Sequence, residues 1–222
     1  NFNLDGMGFD AALPRMLNTL IGCALAWFGV SFIFPDWKFR RLSRSIERAL
    51  TAQCNYLAEV TEQYKHGRNN GLKYRVVRRA AHNNDADLAS LISTLATEPD
   101  FDPTQKTLAF EFLCLNHTLT SYIAALGAHR KKIDDPEVLN LLDLALDDIQ
   151  GSLLRDEMPD LNTPDLLDHI RQRLNQNPEE DQTSLIVLQQ LSLILSILNQ
   201  LSRLKQSLSH DRDEQATELA SL

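Results

Sequence analysis

From about residue 38 onward, apolar residues recur at steps of three, four and seven, which places them on one face of an α-helix. Turn-forming residues divide this pattern into segments, so that helices are predicted over about 38–66, 72–97, 104–132, 136–154, 165–176 and 179–208. No strand is predicted. The sequence therefore predicts an all-α fold, in which five or six helices form an up-and-down bundle.

The run from Met16 to Pro35 differs from these helices because it is apolar on every side. It holds twenty residues without a charge, and a helix of that length spans about 30 Å, the thickness of the hydrocarbon core of a bilayer. Its hydroxyl groups, on Thr19 and Ser31, can bond back to the helix backbone. A buried core helix and a signal peptide are the alternatives. The acidic residues before the run and the basic cluster after it argue against a signal peptide.

Basic residues flank this run unequally. Arg15 precedes it, whereas five basic residues follow it: Lys38, Arg40, Arg41, Arg44 and Arg48. The positive-inside rule then places the C-terminal side in the cytoplasm. The juxtamembrane basic residues act either as a topology signal alone or also as a contact with anionic lipid. The predicted organisation is an extracytoplasmic loop end (1–15), a transmembrane helix (16–35), a cytoplasmic bundle (36–208) and a frayed tail (209–222).

Small residues line one side of the predicted membrane helix. Gly22, Ala26 and Gly29 fall at steps of four and three, which lets another membrane helix approach closely. This spacing favours a protein with more membrane helices than the sequence contains.

The last predicted helix carries a wide apolar stripe. Its apolar seam follows alternating steps of four and three, with Lys205 completing the register before the last position: Val187, Leu191, Ile194, Leu198, Leu201 and Leu208. A wide stripe favours burial inside the same bundle, and a heptad seam favours self-association. We predict that this helix is buried chiefly within its own bundle and contributes to self-association. Gln189, Gln190, Asn199 and Gln200 argue against a second membrane span in this region.

Basic and acidic residues are unevenly distributed along the chain. The net charge is −8, but residues 36–79 hold eleven Lys and Arg against four Asp and Glu, whereas residues 80–222 are strongly acidic. A nucleic-acid binder needs a coherent basic face on its folded domain, so no nucleic-acid partner is expected. The three widely spaced cysteines form neither a disulfide framework nor a zinc motif.

Motifs for catalysis, nucleotide binding and metal binding are missing from the sequence, so we expect neither an enzyme nor a cofactor nor a metal site. One polar cluster stands out: Arg75, Arg78, Arg79 and His82 share a basic helix face. This face either binds an anionic ligand, a lipid head group or an acidic partner helix, or is a solvated face paired with neighbours such as Asp85. Asn116 and His117, inside an apolar helix, are interpreted as satisfied core residues.

Several segments resemble a known family. Arg15, Thr19 and Gly22 before the apolar run, the Pro35-Asp36-Trp37 exit, and the stretches YRVVRRAAHNNDADLAS, TEPDF and LCLNHTLTSYIAALGAHR are similar to the fusaric acid resistance protein-like family, within it the YccS/YhfK group of bacterial inner-membrane proteins. The resemblance covers roughly residues 1–150. It implies a C-terminal fragment of a multi-pass protein of the inner membrane, with residues 36–222 in the cytoplasm.

The resemblance also implies a function. Some relatives export aromatic carboxylic acids, so the chain is expected to be part of a transporter-like protein that exports organic acids. Its expected partners are membrane lipid, the other membrane helices of the full-length protein and further copies of itself. The alternative is a membrane-tethered helical scaffold or oligomerisation domain without transport activity.

Overall fold

The structure, a computed structural model, describes residues 7–29, 37–69, 71–98, 101–155, 162–176 and 182–220. In these ranges the chain forms helices and no strands, which confirms the all-α prediction. The helices are α1 (Met7–Phe28), α2 (Trp37–His66), α3 (Leu72–Ala96), α4 (Pro103–Leu126), α5 (Pro136–Leu154), α6 (Asn162–Gln176) and α7 (Gln182–Ala220). The chain divides into two units, residues 1–41 and 42–222.

The first unit contains α1, which begins earlier than the sequence suggests. Residues 7–15, predicted as part of a loop, are helical from Met7, and Pro14 lies inside the helix. Ala and Leu, which favour helices, flank the proline and account for the extension. The predicted membrane helix 16–35 is described as far as Gly29. The remainder of that prediction, 30–35, lies outside the described residues.

The second unit is a helical bundle built around α7. This helix packs against α4, α5 and α6, and α3 packs against α4. The apolar stripe predicted for α7 is buried, with Val187, Leu191, Ile194 and Leu198 all at 0 % exposure. The prediction that the last helix is buried chiefly within its own bundle is therefore confirmed.

By length and composition, α7 over Gln182–Ser209 is apolar enough to cross a membrane, and the described residues contain one such helix. Its apolar stripe nevertheless faces the core of the bundle. The backbone stays helical through Ala220, so the boundary of a tail at 209 needs correction. Residues 210–220 include Arg, Glu, Gln and Ala, which favour a helix even where they are polar.

Caps define the ends of the bundle helices. An aspartate precedes Pro at the starts of α4 and α5, and each carboxylate accepts backbone N–H bonds: Asp102 from Thr104 and Gln105, and Asp135 from Glu137. These bonds satisfy N–H groups that a helix leaves unpaired in its first turn. Pro136 stands in the first turn, as the sequence predicts.

Side chains of α7 complete the end of α5. The Lys205 ammonium donates to the carbonyl oxygen of Leu153 at 2.7 Å, and the Ser202 hydroxyl donates to that of Ser152 at 3.4 Å. A helix leaves its last carbonyls without partners, so these bonds fix α7 against the C-terminal end of α5.

Candidate functional site

The basic face predicted on α3 is present and exposed. Arg75, Arg78, Arg79 and His82 are all solvent-exposed, and the three arginines form no ion pair with the described residues. On the helix, Arg75, Arg79 and His82 lie about a quarter turn or more from Tyr74, Ala81 and Leu88 of the buried stripe, whereas Arg78 lies at the edge of that stripe, four residues after Tyr74. Three guanidinium groups so close together favour an acidic partner or anion.

The expected pairing of this face with Asp85 is wrong. Asp85 follows Ala81 by four residues and precedes Leu88 by three, so the helical period turns its side chain inward. One carboxylate oxygen accepts from the Asn116 amide at 2.7 Å, and the other lies 2.8 Å from Nδ1 of His117. Asp85 therefore joins α3 to α4 instead of neutralising the arginines.

Asn116 extends this buried polar chain to α2. The Gln53 amide group donates to the Asn116 side-chain oxygen at 3.0 Å and to the Thr120 hydroxyl at 2.7 Å. Asn116 is fully buried with its hydrogen bonds made, which confirms its interpretation as a satisfied core residue. His117 is different, because its side chain is 71 % exposed. The interpretation of His117 as a core residue is therefore wrong.

Two tyrosines lie beneath the basic face. The hydroxyls of Tyr56 on α2 and Tyr74 on α3 are 3.2 Å apart, with ring centroids at 5.8 Å. The His82 ring centroid is 6.4 Å from that of Tyr56. Burial raises the pKa of Tyr56, the hydrogen bond with Tyr74 raises it further, and the positive charges of Arg78 and Arg130 partly oppose this.

Arg130 holds this group of side chains together from the loop after α4. Its guanidinium carbon lies 3.7 Å from the centroid of the Tyr74 ring, the geometry of a cation–π contact. Nη1 donates to the Gln63 side-chain oxygen at 2.6 Å, and Nε donates to the carbonyl oxygen of Gly127 at 2.5 Å. Only 5 % of the residue is exposed. We call Tyr56, Tyr74, Gln63, Gly127 and Arg130 the arginine–tyrosine cluster.

Gly127 gives the arginine–tyrosine cluster its close packing. A Cβ atom at this position would lie 2.8 Å from the Tyr56 hydroxyl and 3.2 Å from the Tyr74 hydroxyl. Glycine is therefore required where α4 ends and the two tyrosines approach the backbone. α4 ends at Leu126 and not at about residue 132, since Gly127 caps it and Arg130 turns back onto Gly127.

Arg15, Thr19 and Gly22, which carry part of the family resemblance, lie on α1. The Thr19 hydroxyl donates to the carbonyl oxygen of Arg15 at 2.9 Å, so that polar group is satisfied within the helix. Arg15, Thr19, Gly22 and Ala26 are exposed, and a Cβ at Gly22 or Gly29 would meet no atom within 4 Å. Among the described residues of the first unit, none therefore covers the small-residue side.

The juxtamembrane basic residues fall on α2. Arg41, Arg44 and Arg48 are exposed, while the side chains of Lys38 and Arg40 lie outside the described residues. In the described part of the chain, no group of three or more His, Cys, Asp or Glu side chains is placed to hold a metal ion.

Comparison with known proteins gives three relatives. The chain is 46 % identical over 209 residues to the "Inner membrane protein YccS" of Escherichia coli K12, covering 94 % of this chain and 29 % of that protein. It is 40 % identical to an uncharacterized protein of Haemophilus influenzae (59 % of this chain, 19 % of that protein). It is 36 % identical to an uncharacterized protein of Neisseria gonorrhoeae (57 % of this chain, 31 % of that protein). The chain thus spans less than a third of each relative.

No family model matches the chain, and no solved structure matches it.

Proposed function

We propose that the chain is a segment of a bacterial inner-membrane protein of the YccS-like group, with α1 in the membrane and the bundle in the cytoplasm. The observation that carries this proposal is the surface of α1. Eight large apolar side chains on this helix are each more than half exposed: Leu13, Met16, Leu17, Leu20, Ile21, Leu25, Trp27 and Phe28. Water contact with that much apolar surface costs about 25 cal/mol per Å², so lipid or neighbouring membrane helices must cover it.

The similarity to the Escherichia coli protein supports the same location, because 94 % of this chain aligns with a protein named for the inner membrane. The basic residues that follow α1 in the sequence support the orientation, since Arg41, Arg44 and Arg48 are each exposed.

The full-length protein is proposed to be a multi-pass transporter of the fusaric acid resistance protein-like family that exports organic acids, aromatic ones among them. The Escherichia coli protein is more than three times as long as the aligned part of this chain. The additional length can hold further membrane helices, which would form most of the transport path. The open side of α1 at Gly22 and Gly29 supports close packing against such helices. Export is proposed to draw on an ion gradient.

A membrane-tethered scaffold without transport activity is the second candidate. The observation that favours it is the exposed basic face of α3, which forms no ion pair with the described residues and suits an acidic protein partner.

Reporter fusions test the topology. A green fluorescent protein fused after Arg48 is expected to fluoresce, and alkaline phosphatase fused at the same residue to stay inactive, because the basic cluster holds this side in the cytoplasm. As a matched control, replacing Arg41, Arg44 and Arg48 together with alanine should reduce the fraction correctly oriented. Phosphatase activity after Arg48 in the unaltered chain would refute the orientation.

Efflux of a radiolabelled hydroxybenzoate tests transport. Cells that contain the full-length protein are expected to export the acid faster than cells that lack it, and a protonophore should abolish the difference. Gly22→Leu should return efflux to the level of cells without the protein, because the larger side chain blocks close helix packing. Ile21→Leu is the control and should export normally. Equal efflux with and without the protein would favour the scaffold.

A further inference from the structure

Besides its buried face, α4 has an exposed face on which residues recur at a regular helical spacing. Its inward face contributes Ala109, Phe112, Leu119 and Ile123 to the core. On the opposite side, Thr107, Phe110, Cys114 and His117 follow one another at steps of three, four and three, and all four are exposed. This spacing is that of the a and d positions of a coiled-coil seam.

An open groove of about 500 Å³ runs along this outer face, beside α7. Phe110, Cys114 and Leu115 provide its apolar lining, and Gln200 borders it from α7. Phe110 is 44 % exposed, although burying a phenylalanine contributes about 1.5–3 kcal/mol. The outer face of α4 therefore has the shape and chemistry of a helix-docking surface.

Opposite charges stand at the two edges of the groove. Lys106 and Glu111 both line it, five residues apart and on opposite sides of the seam. In a pair of parallel helices, a residue at position g faces the residue five positions later, at position e of the partner. Lys106 occupies g and Glu111 occupies e when Phe110 is at d. The Glu111 carboxylate forms no ion pair with the described residues, and the Lys106 ammonium bonds the carbonyl oxygen of Glu98.

The geometry points to a second copy of this chain as the occupant, with the two α4 helices side by side and parallel. Each Lys106 then meets Glu111 of the other copy, and the Phe110 and Cys114 side chains of both copies close the seam. One patch that carries both charges is complementary to itself, which is the requirement for a twofold dimer. An antiparallel twofold pair would instead bring equivalent edges together and leave both ion pairs unmade.

Membrane anchoring favours this contact, although the interface is small. Copies held in one membrane meet at a much higher effective concentration than free copies, so a modest helix–helix surface is sufficient. This inference rests on the proposed function only for that anchoring.

Cysteine cross-linking tests the dimer in the full chain, reconstituted in lipid nanodiscs or mild detergent. Cys54 is buried, and burial raises the pKa of its thiol to about 12, so it does not react. With Cys23→Ser removing the thiol on α1, Cys114 is the accessible thiol, and a short bismaleimide is expected to yield a covalent dimer. Cys114→Ser in the same background should yield none.

A charge exchange tests the parallel register. Lys106→Glu alone and Glu111→Lys alone should each weaken dimerisation about tenfold, because each places two like-charged pairs across the seam. The double variant, Lys106→Glu with Glu111→Lys, should restore the cross-link. Phe110→Asp should abolish it, whereas Leu144→Asp on α5, also about half exposed, should leave it unchanged.

Three results would overturn the inference: a monomeric mass by light scattering, a dimer that does not cross-link through Cys114, or a double variant as weak as the single ones. These outcomes are separate from the proposed function, because reporter topology and efflux are read independently of the α4 contact.

Discussion

Replacing Leu191 with aspartate is expected to unfold the bundle. Leu191 lies on the buried stripe of α7 and is 0 % exposed. The substitution removes a core leucine, at about 2–5 kcal/mol, and places an unpaired carboxylate among apolar side chains, which adds several kcal/mol. The sum rivals the whole stability of an ordinary domain, about 5–15 kcal/mol. Loss of the far-ultraviolet circular dichroism signal and aggregation of the purified chain would be the measured results.

Leu144→Asp is the matched control for this experiment. Leu144 is 49 % exposed on α5, so the same chemical change should lower the free energy of unfolding by less than about 1 kcal/mol. If Leu191→Asp remained folded and only its mass in solution fell, α7 would be an assembly element and its burial within the bundle would be wrong.

Replacing Arg130 with alanine is expected to lower the free energy of unfolding by about 3 kcal/mol. The substitution removes two hydrogen bonds from a charged donor, to Gln63 and Gly127, and the cation–π contact with Tyr74. It also leaves buried oxygen atoms without those donors. Urea denaturation followed by circular dichroism measures the change.

Two further variants define the role of Arg130. Arg130→Lys should recover only part of the stability, because an ammonium cannot reproduce the planar guanidinium that bonds two oxygens and stacks on a ring. Arg75→Ala, on the exposed basic face, should change stability by less than about 0.5 kcal/mol. A stability of Arg130→Ala equal to that of Arg75→Ala would show that the arginine–tyrosine cluster contributes little to folding.

The helices could be predicted from the sequence because their signals are local. The spacing of apolar residues, the turn residues and the capping residues predicted the bounds of α2 to within one residue and the bounds of α5 as observed. The inward position of Asp85 could also have been predicted from the sequence, since Ala81, Asp85, Leu88 and Ile92 lie on one stripe of the helix. The sequence prediction grouped Asp85 with its charged neighbours on α3 instead of following the period.

The arginine–tyrosine cluster could not be predicted in the same way. Tyr56, Tyr74 and Arg130 come from two helices and a loop, and only the packing of the bundle brings them together. Gly127 offered one local signal, because a glycine near the end of a helical pattern indicates a cap. Its contact with two tyrosine hydroxyls depends on α2 and α3, and no local pattern contains that information.

The order of the helices along the chain has a consequence for biosynthesis. α7 is the helix on which α4, α5 and α6 pack, yet it follows all of them in the sequence. The ribosome therefore releases the outer helices of the bundle before the helix that covers their apolar faces. During that interval the nascent chain exposes surfaces that bind chaperones or aggregate, and the bundle closes only when α7 emerges.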